Sequence, residues 1–196
     1  MERIFLIRHG RPVYEDDSRR FIGVTDIALS AEGRSELESL KIFFQRESAG
    51  RVYASPLLRA RETAEAVFGP DMPVTVVDGV AEIDMGLWEN MTFEAVKQRF
   101  PEEFKRRGES FADFTPPGGE SFRDCQRRSV SALREIAERG GGSAAVVAHA
   151  GVNRSILCAL TGHPLDRLFD FRQDFGCVNE LTVAYGVIKY VRTFVP

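Results

Sequence analysis

Arg8, His9 and Gly10 follow directly on the apolar run Ile4-Phe5-Leu6-Ile7, and a second histidine, His149, closes the apolar run Ala144–Ala148, with Gly151 close behind. An imidazole can act as nucleophile or proton carrier near neutral pH, and a guanidinium is a permanent cation. Glycine lets backbone approach a ligand closely. Open α/β sheets bind ligands outside the carboxyl ends of their strands, so this set of residues, placed there, suits an anion. A lone histidine in such a place more often begins a solvated loop, but here other segments supply matching parts.

Arg59 is one of them. Ser55-Pro56 reads as a helix start, with Ser55 as N-cap and Pro56 in the first position, where no N–H is needed. Arg59 then lies in the opening turn and adds to the positive end of the helix dipole; alone, an arginine there is more often a surface residue. Phe21-Ile22-Gly23 offers a backbone N–H to a ligand. Glu82 stands between Ala81 and Ile83, apolar neighbours that disfavour a carboxylate and let the acid hold a proton for catalysis. Asp84 and Glu89 suit a solvated turn. Beyond His149, a helix opening near Ala150 turns its free N–H groups toward the same crevice.

The elements that must position these residues follow from pattern. Ile4–Ile7, Val52–Ala54, Val74–Val77 and Ala144–Ala148 predict strands. Ser30 predicts the cap of a helix of about 16 residues carrying Leu37, Leu40, Ile42, Phe43 and Phe44. A charged helix is expected from Thr92 to Arg107, interrupted at Pro101. Another spans 121–139, turns Phe122, Cys125, Val130, Leu133 and Ile136 inward and stops at Gly140-Gly141-Gly142. Val178–Ala184 and Val187–Val195, flanking Tyr185-Gly186, predict a closing hairpin. The polar stretch 11–20 is expected over the mouth of the site. Segment 84–120, ending in Pro116-Pro117-Gly118-Gly119-Glu120-Ser121, is expected to be an insertion that caps it. His163 is expected to be structural, with no partner.

Length and composition bound the rest. The 196 residues suit one domain, 1–196, with an insertion; 43% hydrophobic and 28% charged residues are ordinary for a globular protein. A net charge of -3 gives no electrostatic reason for a nucleic acid or an anionic membrane as partner. No apolar run approaches the roughly 20 residues of a membrane helix, and Arg8 interrupts any signal-peptide pattern. Cys125, Cys158 and Cys177 form neither a metal spacing nor a disulfide framework, which predicts a reducing cytoplasm.

On Arg8-His9-Gly10, Arg59 within Ser-Pro-Leu-Leu-Arg-Ala-Arg-Glu-Thr-Ala, Glu82, Pro117-Gly118-Gly119-Glu120-Ser121 and His149-Ala150-Gly151, the sequence resembles the histidine phosphatase superfamily, the phosphoglycerate mutase-like proteins. The resemblance runs from Leu6 to Leu160. It implies an α/β fold, a three-layer αβα sandwich with a mostly parallel central sheet and a helical cap. It also implies a phosphohistidine intermediate, no metal and no cofactor. By position it makes His9 the nucleophile, Glu82 the proton donor, and Arg8, Arg59 and His149 the phosphate pocket, with Gly10, Ile22, Gly23 and Ala150 as further substrate contacts. Elementary chemistry agrees. Two guanidinium forks can neutralise the equatorial phosphoryl oxygens, and their charge disfavours protonation of His9.

The pattern departs from the family at Pro12 and Glu15, where a Thr or Ser and a phosphate-holding Asn are usual. Mutases of the superfamily carry a Lys near the position of Phe93. Its absence, together with the Pro-Gly-Gly-Glu-Ser run, implies a phosphatase of a small phosphomonoester, and Phe21–Asp26 is most similar to α-ribazole-5'-phosphate and broad-specificity phosphatases. Arg106-Arg107, as a site for a second anion, keeps a mutase or sugar bisphosphatase as the alternative, though such a pair is more often a solvated face. A phosphate-binding regulatory pseudoenzyme is a further alternative, against which the intact His9 and Glu82 stand.

Overall fold

The structure is a computed structural model and describes residues 2–14, 16 and 18–196. Glu15, where the family pattern has its Asn, lies outside the described residues. The chain runs β1 (Glu2–Arg8), α1 (Ala31–Glu36), α2 (Glu38–Arg46), β2 (Arg51–Ala54), α3 (Leu58–Phe68) and β3 (Val74–Val76). It continues through α4 (Phe93–Arg99), α5 (Pro101–Glu109), α6 (Phe122–Glu138), β4 (Ala144–Ala148), α7 (Ala150–Thr161), β5 (Val178–Ala184) and β6 (Val187–Phe194). Short 3-10 turns occupy Asp78–Val80, Gly86–Trp88 and Leu165–Asp170.

Among the described residues the sheet has the order β3-β2-β4-β1-β5-β6. The first four strands in that order are parallel, and β5 and β6 join as an antiparallel hairpin against β1. Such central strands are buried on both faces and need apolar residues at every position, which is why β1 and β4 lack polar alternation. Side chains still part by the period of two. Ile4 and Leu6 join Val146, Leu133 of α6 and Ile156 of α7 on one face. Phe5 and Ile7 join Val147, Leu40 of α2 and Ala64 of α3 on the other. The result is the expected three-layer α/β sandwich. Arg8 pairs in register with Ala148, so His9 and His149 leave the sheet side by side.

Several local expectations change. The predicted helix of 16 residues is two helices meeting at Leu37, and Ile42 faces solvent, although Ser30 does cap the first through Gly33 N–H. Helix α3 starts at Leu58, later than expected. Asp26 Oδ1 accepts the Leu58 N–H at 2.6 Å, while the Ser55 hydroxyl accepts the Leu57 N–H at 3.2 Å, one residue before the helix begins. His163 does have a partner, Asp170 Oδ2, at 3.0 Å. Helices α4 and α5 form with the break at Pro101, and a separate apolar cluster joins Val96 of α4 to Phe21, Trp88 and Phe114. No helix among the described residues is long and apolar enough to cross a membrane.

Candidate active site

His9 begins where β1 ends, with its backbone N–H bonded to Ala148 O at 3.0 Å. Its side chain is only 5% exposed, and its Nδ1 lies 2.7 Å from Gly10 O. A carbonyl oxygen can only accept, so in the neutral ring Nδ1 carries the hydrogen and Nε2 keeps a free lone pair. Burial, then Arg59 and then Arg8, hold the His9 pKa well below the ordinary imidazole value. The arginines contribute as the sequence suggested, but desolvation is the larger cause.

His149 is fully buried, with Nε2 2.7 Å from Ser55 Oγ and Nδ1 without a partner among the described residues. Burial first, then His9 and the two arginines, push its pKa well down. Its ring stands 5.0 Å from that of His9, centroid to centroid, but it does not form part of the cavity wall.

Both arginines are aimed by backbone carbonyls. Arg8 Nη1 donates to Gln173 O at 2.6 Å while its guanidinium lies 3.8 Å over the Phe175 ring. Arg59, 2% exposed in the first turn of α3, donates from Nη1 to Thr25 O at 2.8 Å and from Nη2 to Gly23 O at 2.7 Å. Carbonyl acceptors fix the two forks without cancelling their charge, so that charge remains for a ligand.

Two glycines have roles other than those predicted. The Gly10 N–H is taken by Thr63 Oγ1 at 3.0 Å, and Gly10 does not line the cavity. The Gly23 N–H is taken by Glu89, and Gly23 does not line the cavity either. A Cβ on Gly23 would collide with Ile83 O, so glycine is needed there for backbone-to-backbone approach rather than for ligand contact.

The start of α7 is also committed. Gly151 N and Val152 N donate to Glu82 Oε2 and Oε1 at 3.0 and 3.1 Å, and Ile83 N donates to Oε1 at 3.0 Å. The helix terminus that the sequence offers to a phosphate therefore anchors Glu82. The expectation that apolar neighbours dominate the surroundings of Glu82 gives way to these amide donors. Behind it, Arg128 donates to the carbonyls of Gly79, Ala81 and Glu82 at 3.0, 2.8 and 3.1 Å and pairs with Glu120. The Gly-Gly-Glu-Ser signature thus acts through Glu120 on the strap that carries Glu82.

Arg8, His9, Arg59 and Glu82 meet in one cavity of about 510 Å³, whose wall also includes Ile22 and Ala150. The loop 11–20 does reach its mouth, through Pro12, Tyr14, Asp16, Ser18, Arg19 and Arg20. Phe21 and Phe93 add a stacked pair at 4.2 Å. Of the pair Arg106-Arg107, only Arg107 lines the cavity; it lies over Phe21 at 5.3 Å and Phe111 at 4.6 Å, with burial lowering its pKa. Arg154, over Phe169 at 5.2 Å, was not anticipated, since nothing in its spacing from His149 marks it. Among the described residues no group of three or more His, Cys, Asp or Glu is disposed to hold a metal ion. The arrangement can bind an anion, offer it a neutral imidazole nitrogen and present a carboxyl group beside it.

Comparisons with known proteins bear on the family and the fold. A family model described as Histidine phosphatase superfamily (branch 1) matches residues 4–195. Phosphoserine phosphatase 1 of Hydrogenobacter thermophilus is 32% identical over 96% of this chain and 86% of that protein. A 6-phosphofructo-2-kinase/fructose-2,6-bisphosphatase of Gallus gallus is also 32% identical over 93% of this chain, which spans only 38% of that relative. Among solved structures, Bacillus stearothermophilus YhfR is 29% identical with a TM-score of 0.86, over 96% of this chain and 94% of that one. The alpha-ribazole phosphatase from Shigella flexneri is 25% identical with a TM-score of 0.87, over 96% and 94%.

Proposed function

The chain belongs to the histidine phosphatase superfamily, branch 1, and on that premise we propose that it hydrolyses a small phosphomonoester through a phosphohistidine on His9. The observation that carries this reading is the His9 ring itself, neutral, hydrogen-bonded through Nδ1 to Gly10 O and sharing a cavity with Arg8, Arg59 and Glu82.

In the first step His9 Nε2 attacks phosphorus and the bond to the leaving oxygen breaks. The forks of Arg8 and Arg59 take the charge on the equatorial oxygens. Glu82 gives its proton to the leaving alkoxide. Of the two carboxyl oxygens, Oε2 accepts one hydrogen bond and Oε1 two, so Oε2 has room for the proton. In the second step Glu82, now a carboxylate, takes a proton from water. The water oxygen attacks phosphorus, the P–N bond breaks, and inorganic phosphate leaves with His9 neutral again. Charge neutralisation by arginine leaves no step that calls for a metal ion. Segment 84–120 acts as the cap of a single domain, through Met85, Phe93 and Arg107. The buried, unpaired cysteines suit a reducing cytoplasm.

For substrate, the Phe21–Phe93 stack favours a leaving group with an apolar or planar part, consistent with α-ribazole 5'-phosphate. Arg107 supports a second reading. It has no acidic partner among the described residues, so a substrate with a second anion, as in a sugar bisphosphate, could meet it. The test is rapid quenching with labelled p-nitrophenyl phosphate, which should trap an acid-labile, base-stable phosphoryl group on His9. Normal turnover by His9→Ala would refute the mechanism, and no turnover of any phosphomonoester by the intact chain would favour the regulatory pseudoenzyme.

A further inference from the structure

Glu89 sits where the chemistry of the pocket does not itself require an acid. It follows the 3-10 turn Gly86–Trp88 and is half-buried, and its charge is felt by Arg59 across space without a direct contact between the two side chains. Its carboxylate instead accepts the N–H groups of Gly23 at 3.2 Å, Val24 at 2.8 Å and Thr25 at 3.1 Å, together with that of Met85 at 3.0 Å and the Thr25 hydroxyl. Successive amides converging on one carboxylate hold a turn in a single conformation, because charge-assisted hydrogen bonds are the strong ones.

The same turn presents its carbonyls to Arg59. Gly23 O and Thr25 O, from residues whose N–H groups bind Glu89, accept from Arg59 Nη2 and Nη1. The turn is therefore gripped by an anion on its amides and grips a cation with its carbonyls. Gly23 has no room for a Cβ, which would meet Ile83 O and Glu89 Oε1.

We propose that Glu89 is a positioning residue for the phosphate pocket, setting the direction of the Arg59 fork through the turn 23–25. The inference rests on the reading of Arg59 as a phosphate ligand. A fork binds two phosphoryl oxygens only when its plane faces them, and a misplacement of about 1 Å in such a group can cost on the order of 10²-fold in rate. Glu89 acts on the transferred group and not on the leaving group, which separates it from Glu82.

The experiment measures inhibition by inorganic phosphate and by vanadate, with kcat/KM for p-nitrophenyl phosphate and for glycerol 2-phosphate, on the full chain. Glu89→Gln keeps the size of the side chain but replaces one acceptor oxygen with a donor that opposes the amides. It should weaken both inhibitors by about 10-fold or more and lower kcat/KM by a similar factor for both substrates, within the range of misplaced binding groups. Thr25→Val, which removes only the hydroxyl contact, should shift inhibition in the same direction by a smaller factor. Combined with Arg59→Lys, Glu89→Gln should add little, since both act on one fork.

A folded Glu89→Gln with unchanged phosphate and vanadate inhibition overturns the proposal, as does a loss that adds in full to that of Arg59→Lys. If Glu89→Gln does not fold, unchanged inhibition in Thr25→Val overturns it instead. If Arg59→Lys alone leaves inhibition unchanged, it is the reading of the pocket that fails.

Discussion

The imidazoles of His9 and His149 stand 5.0 Å apart, tilted by 56°, and both are buried. Two bases this close cannot both take a proton cheaply, and burial alone already favours their neutral forms. Both pKa values lie well below the ordinary value of an imidazole.

Stability should therefore fall as the pH drops below the unfolded-chain histidine pKa of about 6.5. In that window the unfolded chain binds protons that the native chain refuses, so unfolding is favoured by up to about 1.4 kcal/mol per pH unit for each histidine. Above that pH both states hold neutral rings and the penalty vanishes. Urea unfolding at pH 7.5 and 5.5 measures the difference, and His149→Gln should flatten it. A profile that is level, or as steep in the variant, would contradict the burial argument.

Chelation should leave turnover intact. Arg8 and Arg59 keep their charge because carbonyls, not carboxylates, hold them. Activity in excess EDTA, assayed with p-nitrophenyl phosphate, should equal that without it. Loss of activity restored by Mg²⁺ or Zn²⁺ would mean that arginine charge does not suffice.

Glu82→Gln should lose on the order of 10² to 10⁴ in rate on an alkyl phosphate, the usual span for general acid catalysis. The loss should shrink with p-nitrophenyl phosphate, whose leaving group scarcely needs a proton. Equal losses on both would assign Glu82 to binding or folding, and leaving-group dependence in Glu15→Gln alone would move the acid to Glu15.

Arg107→Met keeps the apolar contact with Phe21 and Phe111 and removes the charge. If the second anion site is used, the ratio of kcat/KM for 3-phosphoglycerate over glycerol 2-phosphate should fall by roughly 10- to 150-fold, as for a lost charge-assisted contact worth about 1.5 to 3 kcal/mol. An unchanged ratio would leave the aromatic wall as the selective feature.

Much of this site is legible in the chain because strand ends are legible. Arg8, His9 and His149 each stand where an apolar run stops, and parallel pairing of β1 with β4 brings those ends together. Arg59 is legible from the Ser-Pro helix start, even though that start lies at Leu58 and Ser55, which accepts the Leu57 N–H, also serves His149. Glu89 and Arg128 are not legible. Glu89 bonds to amides 64 to 66 residues away, and Arg128 to carbonyls 46 to 49 residues away, partners that no local pattern names. The glycines show the same limit from the other side. Gly10 and Gly23 read as places of close approach, but what approaches them is protein.

The cluster of Phe21, Trp88, Val96 and Phe114 shares no buried member with the clusters on either face of the sheet. An interior divided in this way also divides the cost of opening, because hydrogen-exchange protection follows contiguous cooperative units. Amides of α4 and α5 are therefore expected to exchange with solvent before those of β1 and β4. Phe21 belongs to that smaller unit and lines the cavity, whereas His9 hangs from the larger one. The Phe21 side of the cavity is therefore expected to open more readily than the end of β1 that carries His9.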